Sequence, residues 1–164
     1  MAVKRARRRT DHRPPPAPQR VVLAATAAEE RGLPIVRELH RIAQAPDPPT
    51  VKLEGALEIL FGAFGEADPE FSGLVLTGWM RARDDKQSRL TMAWLREQMR
   101  LSLDEILTDG AAAGVFRADL DPGAVAAVMV GAAEGCLLQT ASQGGPVPPA
   151  VILRTLLGLV VSEA

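Results

Sequence analysis

The chain has 164 residues, 47% of them hydrophobic, and a formal net charge of −1, which fits a soluble globular protein long enough to bury its own core. Aromatic residues make up only 4%, so we expect a closely packed aliphatic core. The single cysteine, Cys136, excludes an internal disulfide. Together with the two histidines, His12 and His40, it is too little for a zinc or iron–sulfur site, and we expect no metal and no cofactor.

The N-terminal 20 residues hold seven basic side chains, one acidic side chain and a proline-rich stretch. Like charges repel and proline removes hydrogen-bond donors, so the sequence predicts a disordered tail over 1–20 and a helical domain over 21–164. Weak, non-specific contacts with nucleic-acid phosphates would come from Lys4, Arg5, Arg7, Arg8 and Arg9. A secretion signal is the rival interpretation, but the apolar run at 21–28 is short, rich in alanine and followed at once by charged residues. We therefore expect a cytoplasmic protein.

Three helical segments follow the tail. Residues 21–44 have helical character, with a break expected at Gly32-Leu33-Pro34 because an internal proline disrupts a helix. Thr50 is the expected N-cap of a second helix, and Asp68-Pro69 opens a third. The apolar face of the second helix would comprise Leu53, Leu57, Leu60, Phe61 and Phe64, and that of the third Phe71, Leu74, Val75, Gly78 and Trp79.

The longest helix is expected to run from Asp84-Asp85 to about Ala113. Its apolar residues form two stripes: one comprises Met92, Leu95, Met99, Leu103, Ile106 and Gly110, and the other comprises Leu90, Trp94 and Leu101. A helix with two apolar stripes is typical of a central position between two layers. Met and aromatic side chains adapt to apolar ligands, so we expect a ligand pocket lined by Phe61, Phe64, Trp79, Trp94, Met99 and Met129.

A short joint at residues 114–122 separates this helix from the last two. Gly114 can adopt positive φ and end the long helix, and Asp121-Pro122 supplies an N-cap and a first-turn proline for the next one. From residue 122 to the end, the charged residues are Glu134, Arg154 and Glu163 alone. Helices this apolar must be buried in a core or a membrane, but residues 122–138 barely reach spanning length and contain Glu134.

The sequence therefore predicts burial of these helices against a second chain rather than in a membrane. Small residues would permit close helix approach in a symmetric four-helix contact. The expected contact residues are Val128, Gly131, Ala132, Gly135, Leu138, Leu153, Leu156, Leu157 and Val160. No segment shows the alternation of a β-strand, so the predicted fold is an all-α bundle.

Residues 107–122, with the sequence LTDGAAAGVFRADLDP, and the following small-residue helix with Glu134-Gly135 carry a family resemblance. In helix order and in this motif, residues 21–164 resemble the C-terminal domain of TetR/AcrR transcriptional regulators. The resemblance implies an all-helical bundle that forms a homodimer through its last two helices. It also implies a pocket for a small apolar effector among the middle helices, whose occupation changes the spacing of two DNA-reading heads.

The chain departs from that family at its N-terminus. A three-helix DNA-binding head needs roughly 40 residues, whereas 20 basic and proline-rich residues precede the domain. The sequence therefore predicts a regulator portion without the helix-turn-helix, through a displaced start or because the protein is a headless sensor. DNA contact would then be weak, through the tail or through a full-length partner.

Three functions follow from these observations. The first is the effector-sensing and dimerisation portion of a TetR-type regulator. The second is a purely structural dimerisation module, or a dominant-negative partner of a full-length regulator, with no small-molecule ligand. The third is an enzyme, which the sequence disfavours because it shows no nucleophile–base set, phosphate-binding loop or metal-ligand spacing.

Overall fold

Six α-helices make up the part of the chain that the computed structural model describes. Its backbone is described over residues 18–64, 69–141 and 148–161, and its side chains over 27–64, 70–139 and 148–161. The helices are α1 (Pro18–Ala43), α2 (Pro49–Phe64), α3 (Pro69–Ala82), α4 (Lys86–Ala112), α5 (Pro122–Ala141) and α6 (Pro149–Val160). These ranges contain no strand, which confirms the all-α prediction. The predicted phosphate-contacting residues of the tail, Lys4 to Arg9, lie outside the described residues.

The long helix α4 is the centre of the bundle and packs against α1, α2, α3 and α5. Asp85 is its N-cap, as predicted, because its carboxylate accepts a hydrogen bond from the Ser88 backbone N–H at 2.6 Å. The predicted stripe from Met92 to Gly110 is buried. The second predicted stripe is not: Leu90, Trp94 and Leu101 are exposed in the single chain. Helix α4 is therefore central, as predicted, but its second apolar stripe is not covered within the single chain.

Helix α1 continues through Pro34, where the sequence predicted a break. The pyrrolidine ring deprives the Glu30 carbonyl of its helical donor, but Pro34 and Glu30 are both exposed and water can replace that bond. Burial of Ala28 and Leu39 on either side holds the two halves of the helix against the bundle. Packing thus outweighs the local cost of the proline.

The interior is aliphatic with a small aromatic contact. All five predicted core residues of α2 are buried, and the Phe64 and Phe71 rings lie 5.6 Å apart at a tilt of 56°. In α3, Phe71 and Val75 are buried and Leu74 packs against the core from a half-buried position. Trp79, predicted on the same face, is exposed, so the apolar face of α3 is narrower than the sequence indicated.

The joint at residues 114–122 is hydrogen-bonded to α4, α5 and α6. Gly114 adopts φ 71°, the Val115 N–H donates to the Gly110 carbonyl at 2.9 Å, and the Gly114 N–H donates to the Ala111 carbonyl at 3.0 Å, which is a Schellman ending of α4. Asp121 caps α5 by accepting a 2.7 Å bond from the Ala124 N–H. Arg117 N–H donates to the Val160 carbonyl at 2.9 Å, so the joint is also tied to the end of α6.

Candidate functional site

The six residues predicted to line a ligand pocket do not surround a common cavity in the structure. Phe61, Phe64, Met99 and Met129 are buried in one core cluster. Trp79 and Trp94 are 39% and 41% exposed. None of the six lines the small cavity between α1, α3 and α4, which is formed by other residues. The assignment of these six residues to a pocket stays a prediction.

That cavity has a volume of about 10 Å³, room for about one water molecule. One part of its wall is apolar and belongs to Ala28, Leu74, Gly78 and Met92. The rest is polar and belongs to Thr77, Arg81, Ser88 and Thr91. Of these polar side chains, Ser88 and Thr91 are buried. In this conformation the cavity is closed to anything larger than water.

Arg81 places a half-buried cation at this cavity. Within the described residues its Nη1 atom is buried without a hydrogen-bond partner. The half-buried arginines of the described residues are Arg81 and Arg100. Arg100 pairs with Glu97 at 2.8 Å and with Asp104 at 3.2 Å, whereas no described carboxylate lies within 4.0 Å of the Arg81 guanidinium. Arg81 is therefore the half-buried cation that lacks a counter-charge among these residues.

Asp85 bonds Ser88 of the polar wall and is engaged in capping α4. Its carboxylate accepts bonds from the Ser88 hydroxyl and backbone, and these bonds hold the pKa of Asp85 below its usual value. The cation whose charge also lowers the pKa of Asp85 is Arg89, and Arg81 has no such effect on it. Arg89 also donates to the Ala82 carbonyl at 3.0 Å.

Arg81 was not among the site residues predicted from the sequence. In Met80-Arg81-Ala82-Arg83 it looks like part of an exposed basic helix end. The available signal was its register, because residues 74, 78 and 81 follow the helical spacing of the apolar face of α3. A cation on that face must be buried, paired or directed into a cavity.

A second surface of interest is the outer face of α5. Val128 and Leu138 are 62% and 60% exposed, and Gly131 and Gly135 lie between them at heptad-like spacing. A Cβ atom added at Gly135 would have no neighbour within 4 Å, so the glycine leaves a flat, open surface. We call Val128, Gly131, Gly135 and Leu138 the α5 face. The remaining predicted contact residue of this helix, Ala132, is half-buried and packs against the core of its own chain.

In α6 the structure exposes a different set of side chains from the predicted one. Leu153, Leu156 and Leu157 are half-buried against their own core, and Val160 is buried. The exposed apolar residues of the helix are Val151 and Leu159, and Leu159 borders a groove of about 380 Å³ between the joint, α5 and α6. The α6 surface available to a second chain is therefore rotated from the predicted face.

An ion pair lies at the edge of the α5 face. Arg96 donates to Glu134 at 3.1 Å, which joins α4 to α5. Burial raises the pKa of Glu134 above its usual value, and the neighbouring Arg96 opposes that shift without cancelling it. Glu134 is thus a partly desolvated carboxylate in a nearly uncharged half of the chain.

Residues 49–142, which span α2 to α5, match the family described as the tetracyclin repressor-like, C-terminal domain. The chain belongs to this family. Comparisons with curated proteins and with solved structures gave no match. The earlier resemblance to the C-terminal domain of TetR-type regulators is therefore confirmed.

TetR-like C-terminal domains are parts of regulators rather than enzymes. The lone thiol agrees with that assignment, because Cys136 is buried and burial raises its pKa, the reverse of what a reactive cysteine needs. No group of three or more metal-ligating side chains occurs among the described residues.

The helix α5 of this TetR-like domain also has the length and composition of a membrane span over Pro122–Gln139. One such helix is weak evidence for a span. Its inner side chains, Ala126, Met129, Val130 and Ala133, are buried in the bundle, as expected for a core helix of a protein of this family.

Proposed function

We propose that this chain is the effector-sensing and dimerisation portion of a TetR-type transcriptional regulator that works in the cytoplasm. The family assignment supports a regulator. The observation that carries the proposal is the exposed α5 face, an open apolar surface on a domain whose relatives pair through their last helices. Large apolar patches on a folded chain mark contact sites.

The contact would be a homodimer in which the α5 faces of two chains meet. Gly131 and Gly135 let two helices approach closely, and Val128 and Leu138 supply the apolar area on either side. Leu159 and the groove beside it would extend this contact onto α6 and accept apolar side chains of the second chain.

Gly135→Arg tests this contact with little risk to the fold. An added Cβ atom meets nothing within 4 Å in the single chain, and replacing an interior helical glycine raises helix propensity by up to about 1 kcal/mol. In a dimer the same side chain would place unpaired charge in an apolar contact. Light scattering after size exclusion should give the mass of two chains for the wild type and of one chain for the variant.

Gly73→Arg is the matched control, because Gly73 is also helical and a Cβ added there also meets nothing within 4 Å, but it lies on α3. It should leave the dimer intact. An unchanged dimer in Gly135→Arg, or an equal loss in Gly73→Arg, would contradict the placement of the contact on the α5 face.

Effector sensing is the second half of the proposal. Its support is the cavity between α1, α3 and α4, with its mixed apolar and polar wall. A compound that binds only the folded chain must raise its Tm. A thermal-shift screen of diverse amphiphilic compounds decides between a sensor and the alternative, a purely structural or dominant-negative dimerisation module, which would show no shift with any of them.

A further inference from the structure

We propose that the effector carries an anionic head group, a carboxylate or a phosphate, that binds Arg81 in the cavity between α1, α3 and α4. This inference rests on the proposed sensing function and specifies the chemical class of its effector. It differs from the purely apolar effector that the sequence led us to expect.

The charge of Arg81 has no counter-charge among the described residues. A guanidinium nitrogen removed from water without a partner is costly, and the comparable Arg100 meets that cost with two carboxylates. No described carboxylate pairs with Arg81 in the same way. A guanidinium binds carboxylate and phosphate oxygens through two parallel N–H bonds, so an incoming anion would supply the missing partner.

Polar side chains line the part of the cavity wall to which Arg81 belongs. Thr91 is buried beside the cavity and Thr77 lies on its α3 side, whereas the Ser88 hydroxyl already donates its proton to Asp85. Hydroxyl groups can donate to an anionic oxygen in addition to the guanidinium. A cationic head would meet Arg81 at close range and be repelled, and a neutral apolar head would leave the guanidinium unpaired.

The tail of the effector would contact the apolar part of the cavity wall. The opposite wall is apolar, and Met92 blocks it: a Cβ added at Gly78 would lie 2.5 Å from the Met92 Sδ atom. The absence of a side chain at Gly78 therefore makes the space that Met92 now occupies. Because methionine is flexible, a rotamer change can vacate this space for an alkyl chain between α1, α3 and α4.

The test compares four amphiphiles with ten-carbon chains on the full protein chain below their micelle concentrations, by calorimetric titration and thermal shift: decanoate, decyl phosphate, decanol and decyltrimethylammonium. Decanoate and decyl phosphate should bind and raise Tm, decanol should bind at least tenfold more weakly, and the cation should not bind. In Arg81→Gln the affinity for decanoate should fall about 10- to 100-fold, the usual effect of losing a charged hydrogen bond, with that for decanol unchanged.

Two further variants complete the design. Arg83→Gln removes an exposed charge two residues away and should leave decanoate binding unchanged. Arg81→Lys keeps the charge but loses the two-pronged geometry, and should give an intermediate affinity if Arg81→Gln does not fold. If decanol or the cation binds as well as decanoate, or if Arg81→Gln binds decanoate normally, the anionic head group is refuted while sensing survives. If none of these compounds and no member of the diverse screen shifts Tm, both the anionic head group and the sensing function are refuted.

Discussion

Gly110→Ala tests how the joint is built. A Cβ atom at Gly110 would lie 2.1 Å from Phe116 Cδ2 and 2.3 Å from Cε2, so the buried ring would have to retreat by more than 1 Å. Phe116 cannot move alone, since its N–H donates to the Gly110 carbonyl and the next N–H, that of Arg117, donates to Val160. Overpacking of this kind costs about 1–3 kcal/mol, and the gain in helix propensity offsets about 1 kcal/mol of it. We expect a net loss of about 1 kcal/mol in the free energy of unfolding.

Urea denaturation at one fixed protein concentration measures this loss, because the stability of a dimer depends on concentration. Gly62→Ala is the control: Gly62 lies inside α2, where a Cβ meets nothing within 4 Å, so this variant should be stabilised by up to about 1 kcal/mol. The two variants should therefore differ by about 2 kcal/mol. If Gly110→Ala gains stability as Gly62→Ala does, the ring is not held against the helix as described.

Two other changes probe the joint and its neighbouring ion pair. Gly114→Ala should cost about 1 kcal/mol in urea denaturation purely through its φ of 71°, since the space around it is open, and a neutral or stabilising effect would show that the turn relaxes without cost. Because the pKa of Glu134 is raised above 4.5 in the folded chain, its protonation favours folding; this contribution is complete below about pH 4.5 and is lost as the pH rises through the folded-state pKa. Glu134→Gln, which stays neutral, should therefore gain stability relative to the wild type as the pH rises from 4 to 7, and parallel pH profiles would contradict the assigned burial.

The sequence predicted the helices well where one periodic face meets one core. The buried leucines of α2 and the stripe of α4 from Met92 to Gly110 were found from spacing alone, because a 3.6-residue period specifies which side chains turn inward together. Gly114 and Asp121 were found for a local reason as well: positive φ and capping depend on residue type at one position. Pro34 was misjudged because tertiary packing, which no local rule contains, decides whether a helix survives a proline.

The functional surfaces were harder to predict because their sequence signals have two interpretations. Trp79, Trp94 and Leu101 are apolar enough for a core, yet they are exposed, and spacing alone does not say whether a second stripe is covered. In α6 nearly every residue is apolar, so periodicity could not tell the inner face from the outer one. Arg81 was not predicted as a site residue because a charged residue near a helix end is usually solvated.

The ion pair between Arg96 and Glu134 connects these surfaces. It lies between the exposed stripe of α4, which includes Trp94, and the α5 face. If a second chain covers the α5 face alone, the pair stays at the rim in contact with water, and the pH effect of Glu134 is the same in monomer and dimer. If the second chain also covers Trp94, the carboxylate loses more water, its pKa rises further, and the pH effect grows with protein concentration. The pH dependence of Glu134 at two protein concentrations therefore measures how far the contact extends across α4.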